Sequence, residues 1–230
     1  NDYGQFAIFP MVNKMEFDQE KRASWYSHKA EIAKPYYYSV YLADYDITTE
    51  ITPTERAAMF RFTFPETDSS IILVDAFDRG SAIEIQKDKN AIIGYTTRNS
   101  GGVPDNFKNY FVIVFDKPFE MTQIVTDGKI QRSGLKSESK HSGAFVGFTT
   151  QRGEEVIAKV ASSFISYEQA WLNLNEVNDK DFDAVKQEGR DAWNEVLSKI
   201  EIDGGNLDQR RTFYSTLYRS TLFPRKFYEI

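Results

Sequence analysis

Up to about residue 165 the apolar positions of this chain alternate with polar ones or form short unbroken runs; beyond it they recur at every third or fourth position. The first pattern predicts strands in "YYYSVYL" (36–42), "YDITTEI" (45–51), "AMFRFTF" (58–64), "SIILVDAF" (70–77), "SAIEIQKD" (81–88), "AIIGYTTR" (91–98), "NYFVIVF" (109–115), "MTQIVTDG" (121–128), "GAFVGFTT" (143–150) and "EVIAKVASSFIS" (155–166). Pro, Gly, Asn and Asp punctuate these β-branched and aromatic runs, and many short strands joined by close turns predict an antiparallel β-sandwich. Met59, Arg61 and Thr63 alternate with Phe60, Phe62 and Phe64, as in a sheet with one face on a core.

The second pattern predicts helices. Ser166 and Gln169 form a plausible capping box for a short helix carrying Ala170, Trp171 and Leu174. A second helix starts near Asp181, places Phe182, Val185, Ala192, Trp193, Val196, Leu197 and Ile200 on one side, and closes near Gly204 and Gly205. A third is capped by Asn206 with Gln209, carries a stripe of Phe213, Tyr214, Leu217, Tyr218, Thr221 and Leu222, and stops before Pro224. The chain is thereby divided into a β-sandwich domain, 1–165, and a helical segment, 166–230. The third helix docks on the preceding chain or on polypeptide outside this sequence.

Composition narrows the function classes. Of 230 residues 41% are hydrophobic, ample for a core, and 18 Phe with 13 Tyr suit both sheet cores and sugar-stacking surfaces. A net charge of -6 opposes nucleic-acid binding, which needs basic surface to neutralise phosphates. No apolar run approaches the roughly 18 residues of a membrane span, and the first residues lack a signal peptide's basic-then-apolar pattern. The absence of cysteine excludes disulfides, thiol nucleophiles and cysteine-ligated zinc, and His28 and His141 are too few for a His-rich metal site. No EF-hand spacing, phosphate loop or spacing argument for a Ser-His-Asp triad is present. "RNSGGVPDNFKNYF" (98–111), with Asn99, Asp105 and Asn106 as oxygen donors, reads as a hairpin loop before it reads as a site, and "KSESK" (136–140) as a solvated loop.

Four segments, "SWYSHKAEIAKPYYYSVYLADYDITTEITPTERAAMFRFTFP" (24–65), "VASSFISYEQAWLNL" (160–174), "AWNEVLSKIEIDGG" (192–205) and "RRTFYSTLYRSTLFPRKFYEI" (210–230), closely resemble glycoside hydrolase family 92, the calcium-dependent exo-α-mannosidases. The resemblance implies an N-terminal supersandwich of galactose-mutarotase-like type, then linker helices leading to an (α/α)6 barrel, with the active site in the cleft between sandwich and barrel. It also implies that Asn1, Asp2, Tyr3 and Gly4 lie inside the family's domain, so that both ends of this sequence are expected to be truncated and the third helix to belong with the barrel. The activity implied is inverting hydrolysis of terminal α-linked mannose in bacterial glycan degradation, outside the cytoplasm, with Ca2+ helping to hold the sugar. The family's acid, base and calcium ligands lie chiefly in the barrel, so no catalytic or metal residue is assigned here.

What remains for this segment is substrate binding and domain contact. Trp25 is an aromatic platform, and His28 and Glu31 can hydrogen-bond sugar hydroxyls, though ordinary loop bonds or salt bridges explain the same residues. Arg219, beside the Tyr218 stripe, and Arg225, just past Pro224, are candidates for contact with the helical-barrel domain, against the alternative of exposed solvated arginines. A non-catalytic β-sandwich that binds carbohydrate or protein is the alternative function.

Overall fold

Runs of β-branched and aromatic residues can bury their side chains only by pairing edge to edge and stacking face to face. A computed structural model of the chain, describing residues 4–222 and 228–229, shows them doing so. In chain order the strands are β1 (Ala7–Val12), β2 (Ile32–Lys34), β3 (Tyr37–Leu42), β4 (Ile47–Pro53), β5 (Ala57–Phe64), β6 (Thr67–Asp75), β7 (Ser81–Gln86), β8 (Ala91–Thr96), β9 (Asn109–Phe115), β10 (Met121–Thr126), β11 (Lys129–Ile130), β12 (Lys136–Ser139), β13 (Ser142–Thr150) and β14 (Glu154–Ser163). The helices α1 (Tyr167–Asn173), α2 (Phe182–Leu197) and α3 (Leu207–Ser220) follow. The strands form a five-stranded sheet, β1-β6-β13-β10-β11, and a nine-stranded sheet, β12-β7-β8-β9-β14-β5-β4-β3-β2. Every ladder among the described residues is antiparallel.

The main core lies between the sheets, where Met11, Phe62, Phe64, Ile72, Phe111 and Phe145 are buried together. A second core covers part of the other face of the nine-stranded sheet. There Met59, Val112 and Ala161 meet Ala170, Leu174, Phe182 and Val185 from the helical segment. The alternation in β5 thus separates two cores rather than a core from solvent: Phe62 and Phe64 point to one and Met59, 1% exposed, to the other. Arg61, on the helix side, bonds Glu50 through Nε (2.6 Å) and Nη2 (2.8 Å), reaches Asp183 of α2 at 3.1 Å, and lies over the Phe182 ring.

Two sequence expectations are corrected. "KSESK" is not a solvated loop: its first four residues form β12, which pairs with β7 at the sheet edge. Ser137 points inward to the hydroxyls of Thr126 (2.8 Å) and Ser142 (3.1 Å) while Lys136 and Glu138 stay outside, so a fully polar sequence serves because an edge strand buries little. β1 and the two short strands β2 and β11 also extend the sheets beyond the runs read from the sequence.

Helix caps follow the sequence closely. Ser166 accepts the Gln169 amide (3.2 Å), Asp181 the Ala184 amide (2.7 Å), and Asn206 and Gln209 form a reciprocal capping box. None of the residues of α3 is buried; Phe213, Tyr214, Leu217 and Tyr218 are half-covered, with Tyr218 edge-on to Trp193 of α2 at 4.9 Å. Pro224 and Arg225 lie outside the described residues.

Candidate functional site

The long segment between β1 and β2 carries the sequence-derived candidates and is stitched to the sandwich along its length. Its Phe17 ring lies so close to β13 that a Cβ built on Gly143 would meet it at 2.4 Å. Arg22 donates to Asp75 Oδ2 (2.8 Å), and its carbonyl accepts the Tyr45 hydroxyl (2.9 Å). The Trp25 amide donates to Asp44 Oδ2 (2.7 Å), and its carbonyl accepts the Ala43 amide (3.0 Å). These bonds fix the backbone of Trp25 on the turn between β3 and β4 while the residue stays 67% exposed, so its indole is offered to solvent from a fixed place.

His28 and Glu31 are brought together. His28 Nδ1 donates to Glu31 Oε1 at 2.8 Å, and the Tyr38 hydroxyl from β3 donates to Oε2 at 2.9 Å; donation runs this way because an ionised carboxylate only accepts. The imidazole bond and then the phenol bond hold the Glu31 carboxyl below its ordinary range. Burial, with Glu31 as hydrogen-bond partner, pushes Tyr38 up to about 12, so this phenol keeps its proton. The Tyr26 ring stands edge-on to His28 at 5.0 Å. With its side chain 78% exposed and Nδ1 engaged, His28 is oriented with its other nitrogen toward solvent. Trp25 and the His28–Glu31 pair therefore belong to one braced segment, and no direct contact joins them among the described residues.

The most deeply buried ion pair among the described residues, Arg22 with Asp75, drew no assignment from the sequence and lies beside a cleft of about 760 Å³. Asp75 follows the apolar run Ile71–Val74 at the end of β6, is 1% exposed, and accepts from Arg22, from His141 Nε2 (2.7 Å) and from the Phe77 amide (2.9 Å). Burial alone would raise its pKa; the bonds from His141 and Phe77 and the Arg22 charge outweigh burial and hold the carboxyl ionised, below its ordinary value. Phe77 takes φ +58°, rare for a bulky side chain, with its ring facing His141 and the Arg98 guanidinium 4.8 Å above it. Arg98 in turn pairs with Asp78 at 2.6 Å. Asp75 and Asp78 are thus both committed to cations, which suits a brace under the segment bearing Trp25 more than proton transfer. The signal was visible in "SIILVDAF": an acid set between the apolar Ile71–Val74 and Ala76–Phe77 must find a buried partner.

Other expectations resolve by placement. Residues 97–108 connect the paired strands β8 and β9 as a hairpin loop, where Asn99 bonds the Thr97 carbonyl and the Gly101 amide and Gly101 and Gly102 take φ +107° and +74°. Arg219 is exposed and lines a groove of about 480 Å³ with Lys34, Pro35, Arg211, Tyr214 and Tyr218, between α3 and the outermost strand β2. For calcium, no three His, Asp or Glu side chains among the described residues are grouped so as to hold a metal ion, and Asp75 and Asp78, two of the acids lining the 760 Å³ cleft, are spent on Arg22, Arg98 and His141. That donor set does not fit an ion that takes about six to eight oxygens.

Comparison with known proteins connects the segments. The glycosyl hydrolase family 92 N-terminal domain matches residues 1–163, and the glycosyl hydrolase family 92 catalytic domain matches residues 169–230. A family GH92 inverting mannosidase of Bacteroides thetaiotaomicron is 39% identical, with a TM-score of 0.95 over 100% of this chain and 31% of its own. A family GH92 α-mannosidase of the same species is 30% identical, with a TM-score of 0.90 over 99% of this chain and 33% of its own. An uncharacterized secreted glycosidase of Arthroderma benhamiae is 26% identical over 97% of this chain and 33% of that protein. The chain spans about a third of the length of these relatives. With both family models matched in order, and with the sandwich and helices superposing on a solved member over their whole length, the chain belongs to glycosyl hydrolase family 92.

Proposed function

We propose that this chain is the N-terminal portion of an α-mannosidase that removes terminal α-linked mannose from glycans with inversion. The observation that carries this reading is 39% identity, without a gap in coverage, to an enzyme described as an inverting mannosidase. In this reading the sandwich forms one wall of the substrate cleft. Trp25 supplies a stacking face, and His28, aligned by Glu31 and Tyr38, supplies a hydrogen bond to a sugar hydroxyl. The half-covered stripe of α3, with Arg219 at its side and Arg225 beyond it, receives the helical barrel that completes the enzyme. The acid and base belong to that barrel, so this chain alone is inactive. The calcium implied by the family resemblance has no ligand set in the described part of this chain, and no step is assigned to it. The relative named as secreted supports a location outside the cytoplasm, and among the described residues no helix is long and apolar enough to cross a membrane.

The test is hydrolysis of an aryl α-mannoside by the longer protein that carries this chain, with the anomer of the released sugar followed by NMR. β-Mannose as first product, loss of rate with a calcium chelator and its recovery on adding Ca2+ support the reading. A first product of α configuration rejects inversion, and binding of mannosides without any turnover by the longer protein favours the non-catalytic module instead. Turnover by this chain alone overturns its inactivity. Trp25→Ala should lower kcat/KM by about tenfold or more, the loss of a stacking contact worth roughly 1–3 kcal/mol with its apolar area; an unchanged value removes Trp25 from the cleft.

A further inference from the structure

The outer face of the nine-stranded sheet carries a second concavity, remote in sequence from the segment bearing Trp25. Cross-strand register places Glu138, Ala82, Tyr95 and Tyr110 in one row and Lys136, Glu84 and Ile93 in the next. Ala82 is the small member of its row and leaves a trough, which the Tyr95 hydroxyl crosses to reach Glu138 Oε1 at 2.7 Å. Tyr167 of α1 overhangs the trough, its ring edge-on to Tyr110 at 4.9 Å. Lys108 stands 3.9 Å from the centre of the Tyr95 ring, and Lys136 pairs with Glu84 at 2.8 Å. The cleft measures about 360 Å³, at the small end of the roughly 300–1,000 Å³ of small-molecule sites.

The lining selects a ligand by its chemistry. Two lysines face two glutamates, so neither an anion nor a cation is favoured, and an apolar ligand would strip water from these charged groups without replacing its hydrogen bonds. The Tyr167 hydroxyl has no hydrogen-bond partner among the described residues, and burial raises its pKa, keeping it a neutral donor in a half-buried wall. A ring with several hydroxyls satisfies all of these groups, since each hydroxyl both donates to carboxylates and accepts from ammonium or phenol, while its C–H face packs on tyrosine. We propose that the cleft between α1 and strands β7, β8 and β12 binds a neutral pyranose, one sugar unit of a glycan. The observations here are independent of the mannosidase reading.

The experiment is titration of the protein with methyl α-mannoside, methyl α-glucoside and methyl β-galactoside, followed by calorimetry and by NMR of the tyrosine rings. At least one glycoside should bind saturably with a dissociation constant on the order of 1 mM, and inorganic phosphate should not. Tyr167→Phe, which removes one oxygen, should weaken binding about five- to tenfold. Ala82→Leu should abolish it by filling the trough, and the ring signals of Tyr95 and Tyr167 should shift along the same binding curve. Absence of saturable binding, survival of full affinity in Ala82→Leu, or equal affinity for phosphate overturns the proposal. Saturable binding that leaves the Tyr95 and Tyr167 ring signals unmoved overturns it too, while leaving the mannosidase reading intact.

Discussion

At the residue scale, the structure turns on a few groups whose burial demands partners. Asp75 is charged, 1% exposed and flanked by Arg22 and His141, so removing its carboxylate leaves the Arg22 guanidinium buried without a counter-ion. Asp75→Ala should cost about 3–5 kcal/mol in denaturant unfolding, the usual penalty for breaking such a pair. The pH dependence has a definite sign. Because the folded-state pKa is depressed, the pair's contribution is present above the carboxyl's unfolded value, ordinarily 3.8, and is lost as pH falls through the lower folded value. Acid titration of unfolding free energy should therefore show a fall at and below about pH 4 in the wild type that is reduced in Asp75→Asn; equal slopes in both would remove Asp75 from the acid response. Gly94 is a steric case: an added Cβ would sit 2.4 Å from the Ala82 carbonyl oxygen and 2.4 Å from the Phe111 ring. Gly94→Ala should lower stability by about 1–3 kcal/mol, read from the midpoint of urea unfolding. The sequence places Asp75 correctly on a strand, but its partners come from 53 and 66 residues away, and no local pattern names them.

At the element scale, local chemistry sets where elements begin and distant contacts set where they lie. Ser166, Asp181 and Asn206 are readable as caps because each accepts an amide three residues on, an interaction contained within one turn. β12 and β2 are not readable as strands because edge pairing uses backbone groups, which every residue has, and imposes no apolar pattern. The docking of α2 depends on both levels. Its apolar stripe is visible in the sequence, yet only Phe182 and Val185 reach the sheet's buried layer, while Trp193 turns to Tyr218 of α3. What holds its start is Glu50, which takes two bonds from Arg61 and one from the Tyr37 hydroxyl, with Arg61 then reaching Asp183. Burial would raise Glu50, but Arg61 and Tyr37 bring it below its ordinary value, so the carboxylate stays charged. Glu50→Gln should destabilise the protein by about 1.5–3 kcal/mol, with faster amide exchange at the start of α2 as the specific signature.

At the scale of the whole molecule, two sheets enclose one core and three helices begin a second layer whose far side is half-open. Phe62 is fully buried in the main core, and Phe62→Ala should cost about 3–5 kcal/mol in global unfolding, leaving the helix-side core around Met59 to respond only through cooperativity. Fold class is legible in the sequence, because alternation with close turns admits few solutions besides an antiparallel sandwich, and the change of period near residue 165 marks where strands give way to helices. The family too is legible, from four segments in order. Of the site, Trp25, His28 and Glu31 could be named, but the pairing of His28 with Glu31 could not, because it depends on the turn that brings the Ala30 and Glu31 amides to the Ser27 carbonyl. That Trp25 is clamped on the turn beside Asp44, that Asp75 braces the same segment, and that Ala82 lies between Tyr95 and Glu138 under Tyr167 could not. Periodicity, caps and turns can be read along the chain, since they are interactions between near neighbours. Which faces meet, which charges are paired and where a trough opens depend on strand order and register, and these are fixed by the combined burial of residues far apart in sequence.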